Sequence, residues 1–105
     1  MSTHGELLSR FRTAIAKEEP DKAMAAAAKL APLTLRDALD LLRLLSRNGD
    51  PRFERGAHRW LSRLLTEKDA TLADIQVATA AMGALAIEPD SEQALEALVR
   101  VIRAR

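Results

Sequence analysis

The feature that most constrains this chain is a recurrence. Thr34-Leu35-Arg36-Asp37 returns as Thr71-Leu72-Ala73-Asp74, 37 positions later, and Asp50-Pro51 returns as Glu88-Pro89, 38 positions later. In each copy a Thr stands three residues before an acid at the head of an apolar run. Hydroxyl and carboxylate so placed satisfy the backbone N–H groups that a helix's first turn leaves unbonded. The acidic-Pro step then opens a second helix, because Pro lacks only an N–H that the first turn does not use. Glu19-Pro20 is a third such step, and a small residue follows five places after each Pro: Ala25, Gly56 and Ala94. A period of this length marks helical hairpins, which cannot bury their apolar faces alone and do so by stacking, with about three units needed for stability. The expected fold is therefore all-α: six helices as three stacked antiparallel helical hairpins, a short α-solenoid-like or compact helical bundle. Residues 1–105 form a single helical domain in this reading.

The hydrophobic period places the helices. The first, about Gly5 to Lys17, carries Leu7, Leu8, Phe11, Ala14 and Ile15 on one stripe. The second, Pro20 to about Ala31, is an alanine-rich helix of little bulk, and the third runs from Thr34 to about Asn48, with Gly49 as its stop. The fourth, Pro51 to about Leu65, buries Phe53, Ala57, Trp60, Leu61 and Leu64; the fifth, Thr71 to about Ala86, is apolar nearly all round. The sixth is expected from Pro89 to Ala104. Because the third and fifth helices are apolar over most of their circumference, Leu41, Leu42, Leu45, Ile75 and Met82 are predicted to form a shared core. A terminal helix in a stack needs only one buried face, so Leu98, Val101 and Ile102 of the sixth are the predicted self-association or partner surface.

Asp50-Pro51-Arg52-Phe53, followed by Gly56-Ala57 and Leu61, resembles the second helix of a HEAT repeat, where Asp-Pro precedes an apolar residue, a small pair and a Leu. The likeness extends over helices at about 51–65 and 89–104. It implies a protein-binding scaffold without chemistry of its own.

The residues argue against catalysis. There is no cysteine, hence no thiolate chemistry and no Cys-based zinc pattern. The four glycines, at 5, 49, 56 and 83, lie in no phosphate-loop spacing. His4 and His58 stand in different elements without carboxylates spaced to complete a metal triad, and no serine has an adjacent base. Neither a cofactor nor an enzymatic activity is expected. The longest nearly apolar run, Val77 to Ile87, falls far short of the ~20 residues needed to cross a bilayer, and the first residues show no basic stretch followed by an apolar one. A cytoplasmic protein is the expectation.

Charge is the one non-random polar pattern. Residues 43–63 set Arg43, Arg47, Arg52, Arg55, Arg59 and Arg63 against two carboxylates, a balance of +4 within a chain whose net charge is +1. Residues 69–96 hold six carboxylates and no basic residue, a balance of −6. On the fourth helix Arg52, Arg59 and Arg63 share a face bordered by Arg55, which suits an acidic partner or a polyanion. The favoured function is a small helical protein–protein interaction module, binding another protein or itself. The alternative is a nucleic-acid-associated regulator using the Arg-rich helix face.

Overall fold

The computed structural model describes residues 3–104 as six helices in antiparallel pairs. They are α1 (His4–Ala16), α2 (Pro20–Leu30), α3 (Leu35–Arg47), α4 (Arg52–Glu67), α5 (Leu72–Ile87) and α6 (Glu92–Arg103). No strand occurs among the described residues. The body measures 42 × 27 × 21 Å.

Local chemistry explains the boundaries. Thr3, Thr34, Thr71 and Ser91 each cap a helix by accepting a hydrogen bond from the backbone N–H three residues on. At α5 the box is reciprocal: the Asp74 carboxylate also accepts from the Thr71 N–H at 3.1 Å. At α3 it is not. Asp37 accepts instead from the Thr34 hydroxyl at 3.1 Å and lies 3.6 Å from Arg12 of α1, so the same motif here ties two hairpins together. Pro20 does open α2, and Pro51 immediately precedes α4. Pro89 does not open α6. The chain turns at Pro89-Asp90, and the stronger Ser91 cap starts the helix at Glu92.

Two of the three intra-hairpin turns, after α1 and after α3, reverse through a left-handed residue. After α3, Gly49 at φ 60° lets its N–H bond Ser46 O while Asp50 N–H bonds Leu45 O, the 6→1 and 5→2 pattern that closes a helix C-terminus. After α1 the same pair of bonds forms around Glu18 at φ 55°, a conformation that suits glycine better.

The core sits around α3, which packs against every other helix. The fully buried large side chains are Trp60, Phe11, Leu39, Leu44, Leu45, Leu64, Leu85 and Leu98. Trp60 of α4 crosses to α3 and donates its indole N–H to Leu35 O at 2.8 Å, so a polar group enters the core already satisfied. Gly56 lets α4 approach closely: a Cβ there would lie 2.8 Å from Leu42 Cδ2. Of the residues predicted to share the central core, Leu41, Leu42, Leu45 and Met82 are buried, and Ile75 packs half-buried against them. The second hairpin (α3 and α4) lies between the other two. Neither helix of the first hairpin packs closely on α5 or α6.

Candidate partner-binding surfaces

The six arginines singled out by the sequence do not form one open stripe. Arg43 donates from Nε to Pro89 O at 3.2 Å and lies 3.8 Å from the Asp90 carboxylate. Arg47 reaches both outer hairpins at once, Glu18 at 3.1 Å and Asp90 at 3.2 Å. Arg52 is held by Asp50 at 2.7 Å and by Asp21 of α2 at 2.9 Å. Its hydrogen bonds to Asp50 raise the guanidinium's pKa and hold the carboxyl below its usual range. Arg63 bonds Glu67 on its own helix at 2.6 Å and the Leu33 carbonyl in the loop before α3. Arg43, Arg47 and Arg52, with Arg12–Asp37 and the Ser46 hydroxyl on Leu85 O at 2.6 Å, fasten the middle hairpin to its neighbours. Arg55 and Arg59 alone of the six are fully outward and make no hydrogen bond or ion pair among the described residues. Spacing identified the face of α4; it could not reveal that carboxylates and carbonyls from other hairpins would reach it.

The sixth helix requires a correction. Leu98 and Val101 are buried within the monomer, at 0% and 5% exposure, and Ile102 is half-buried. Its apolar arc is spent on α5 and α3, and the face it turns to solvent carries Glu92, Gln93, Glu96, Arg100 and Arg103. The open apolar surface lies instead on α5. Only Ala78, Ala81, Met82 and Leu85 of this helix are buried. Leu72, Val77 and Ile87 stand 76%, 48% and 87% exposed, and between them lie exposed Ala73, Ala80, Gly83 and Ala84. No side chain on this face is charged. Thr79 returns its hydroxyl to Ile75 O at 2.7 Å, which leaves the Gln76 amide as the polar group directed outward. The signal is present in the sequence as the uncharged stretch from Ile75 to Ile87, from which a central position is the expectation.

A second surface belongs to the first hairpin. An open groove of about 410 Å³ follows the outer crease between α1 and α2, and no residue of α3–α6 lines it. Leu7, Ala14, Ala25 and Ala26 form its apolar floor. Arg10 and Lys17 edge it from the α1 side and Lys22 and Lys29 from the α2 side. Each pair is seven residues apart, which returns to the same helix face two turns on, about 10 Å away. Glu19 is the one carboxylate in the groove and is already 2.7 Å from Lys22.

Other groupings are sparse. His58 pairs on the surface with Glu54 at 3.3 Å, His4 is exposed at the start of α1, and among the described residues no three His, Asp or Glu side chains converge as metal ligands would. No helix among the described residues is long and apolar enough to cross a membrane. Compared with known proteins, the chain matches no family model, and no curated protein or solved structure is significantly similar to it.

Proposed function

We propose that this chain is a small protein–protein interaction module of HEAT-like stacked hairpins, without catalytic activity, and that the outward face of α5 is its contact surface. One observation carries the reading: a sixteen-residue helix exposes Leu72, Val77 and Ile87 along a side with no charged residue. The outermost units of a stacked array ordinarily turn a polar face to water, and α6 does so. An apolar helix face rimmed by polar neighbours is the usual form of a protein contact. Absent cysteine agrees with a cytoplasmic setting.

A photo-crosslinking residue placed at Ala80, in living cells, is expected to capture protein, and one at Gln93 or Arg59 to capture far less. Equal capture from all three positions, or none from Ala80, overturns the proposal. The alternative, a nucleic-acid-associated regulator, draws on Arg55 and Arg59 as its uncommitted arginines. Two phosphate contacts give a slope of only about −1.8 in log affinity against log salt, so a slope near −3.6 would favour the wider arginine set and that alternative.

A further inference from the structure

The two open surfaces lie on hairpins that do not pack together, one on each side of the middle hairpin, and their chemistry is opposite. The α1–α2 groove offers an apolar alanine floor between two rows of cations, and the side chains of Arg10, Lys17 and Lys29 make no hydrogen bond or ion pair among the described residues, though the Lys17 charge acts on Glu19. The α5 face offers apolar side chains and no charge, and the turn and helix that follow bring Glu88, Glu92 and Glu96, whose side chains make no hydrogen bond or ion pair among the described residues. We infer that the occupant of the α5 face is a second copy of this chain, which receives α5 in its own α1–α2 groove, head to tail. This rests on the reading of α5 as a contact surface.

Three points favour this occupant. Small residues on both sides, Ala14, Ala25 and Ala26 in the floor and Ala80, Gly83 and Ala84 on α5, allow helices to approach closely. The long stems of Lys17, Lys22 and Lys29 can lie along apolar α5 while their ammonium groups reach the carboxylates at its C-terminal end. The arrangement also repeats the internal logic of the fold, since hairpin three of one copy meets hairpin one of the next as hairpins one and two, and two and three, meet within the chain. Unlike faces that dock in this way make a heterologous contact, which leaves a free groove at one end and a free α5 at the other and can add further copies. One helix in one groove lies at or below the low end of specific interfaces, about 1,200 Å², so association is expected to be reversible and concentration-dependent. The ionic part of the contact should weaken as salt rises.

The test is sedimentation velocity of the full chain from ~10 μM to ~1 mM, with Val77→Asp on the α5 face and Lys17→Glu/Lys29→Glu in the groove. All three substituted side chains are exposed, and circular dichroism checks that each variant keeps its helices. Wild type is expected to sediment faster as concentration rises, and each variant alone to remain monomeric. Mixed in equal amounts, the variants should form a one-to-one dimer that grows no further, because the groove of the first is intact and so is the α5 of the second. A groove variant that associates as wild type does, while Val77→Asp does not, means α5 pairs with α5: the head-to-tail inference fails and the α5 contact stands. Wild type monomeric throughout refutes the second copy, and the Ala80 crosslink then decides separately whether α5 meets another protein. Association unchanged by Val77→Asp refutes both.

Discussion

Helices α3 and α5 begin with the same Thr-Leu-x-Asp motif and both carry a broad apolar surface, yet they end in opposite environments. In α3, thirteen residues long, seven positions are buried; in α5, sixteen residues long, four are. The more apolar helix is the less buried one: α3 carries the charged residues Arg36, Asp37, Asp40, Arg43 and Arg47, and α5 carries Asp74 alone. Helix α3 lies between the outer hairpins and is covered on all sides but one, and its remaining strip holds Arg36, Arg43 and Arg47. Arg43 and Arg47 are used to fasten the third hairpin, and Arg47 also fastens the first. Helix α5 is at the edge of the stack, covered on one side by α3, α4 and α6, and its other side carries no charge and, besides the Thr79 hydroxyl, one polar group, the Gln76 amide. Apolarity states what a helix can bury. Its place in the stack decides what the monomer does bury.

The comparison is broken most directly by truncation. Leu44→Ala in α3 and Leu85→Ala on the inner face of α5, both at 0% exposure, should each cost about 2–5 kcal/mol. Leu72→Ala and Ile87→Ala on the outer face should stay within about 0.5 kcal/mol. Urea unfolding of the four variants measures this, and an Ile87→Ala cost equal to that of Leu44→Ala would mean that the outer face of α5 is covered within the monomer. Next in size is Trp60→Phe, which keeps most of the buried ring and removes the donor to Leu35 O. A buried carbonyl left without its partner costs about 1–3 kcal/mol, and a loss well below 1 would show that water reaches the head of α3.

Most of this architecture was legible from local chemistry. Caps at Thr34 and Thr71, the stop at Gly49 and the 3.6-residue period of α1 to α4 depend on neighbours within a few residues, and such interactions can be read along a chain. The exceptions share a cause. The return of Asp50-Pro51 as Glu88-Pro89 predicts that Pro89 opens α6, and the local competitor Ser91 prevails. The surface expected at Leu98 and Val101 is buried, and the helix expected to be central exposes Val77, because a period tells that a helix has an apolar side without telling which other helix meets it. The arginine set failed as a stripe for the same reason: Asp21, Leu33, Glu18 and Asp90, which bind Arg52, Arg63 and Arg47, are remote in sequence. The α1–α2 groove could have been suspected from the seven-residue spacing of Arg10–Lys17 and Lys22–Lys29.

Two glycines sharpen the contrast between an enclosed helix surface and an open one. Gly83, on the outer face of α5, has nothing within 4 Å of the position where a Cβ would be, whereas at Gly56 that position is 2.8 Å from Leu42 Cδ2. Alanine in place of a mid-helix glycine gains about 0.5–1 kcal/mol from the unfolded state. Gly83→Ala should realise that gain as a raised unfolding midpoint, and Gly56→Ala should gain less or lose, because Leu42 is buried and must move. If Gly83→Ala also weakens self-association while it stabilises the monomer, close helix approach at that point is the reason a glycine is there.

The smallest expected effect concerns the charges that surround α3. Burial raises the pKa of Asp40, against the opposing pull of Arg36, 3.6 Å away, and of Arg43. The folded protein therefore holds the Asp40 proton to a higher pH than the unfolded chain does. The penalty for its charge is full above the folded pKa and is relieved as pH falls through it. Asp50 and Glu67 behave in the opposite sense, since hydrogen bonds from Arg52 and Arg63 lower their pKa values. Their contribution is present above the ordinary carboxylate pKa, about 4, and is lost as pH falls through the lowered values. Unfolding midpoints from pH 7 down to about 3 should thus show Asp40→Asn more stable than wild type at neutral pH, with the advantage shrinking as acid is added. Asp50→Asn should be less stable at neutral pH, with its deficit shrinking over the same range. If Asp40→Asn were destabilising at pH 7, the ion pair with Arg36 would outweigh burial, and the polar strip of α3 would contribute stability of its own besides fastening the hairpins.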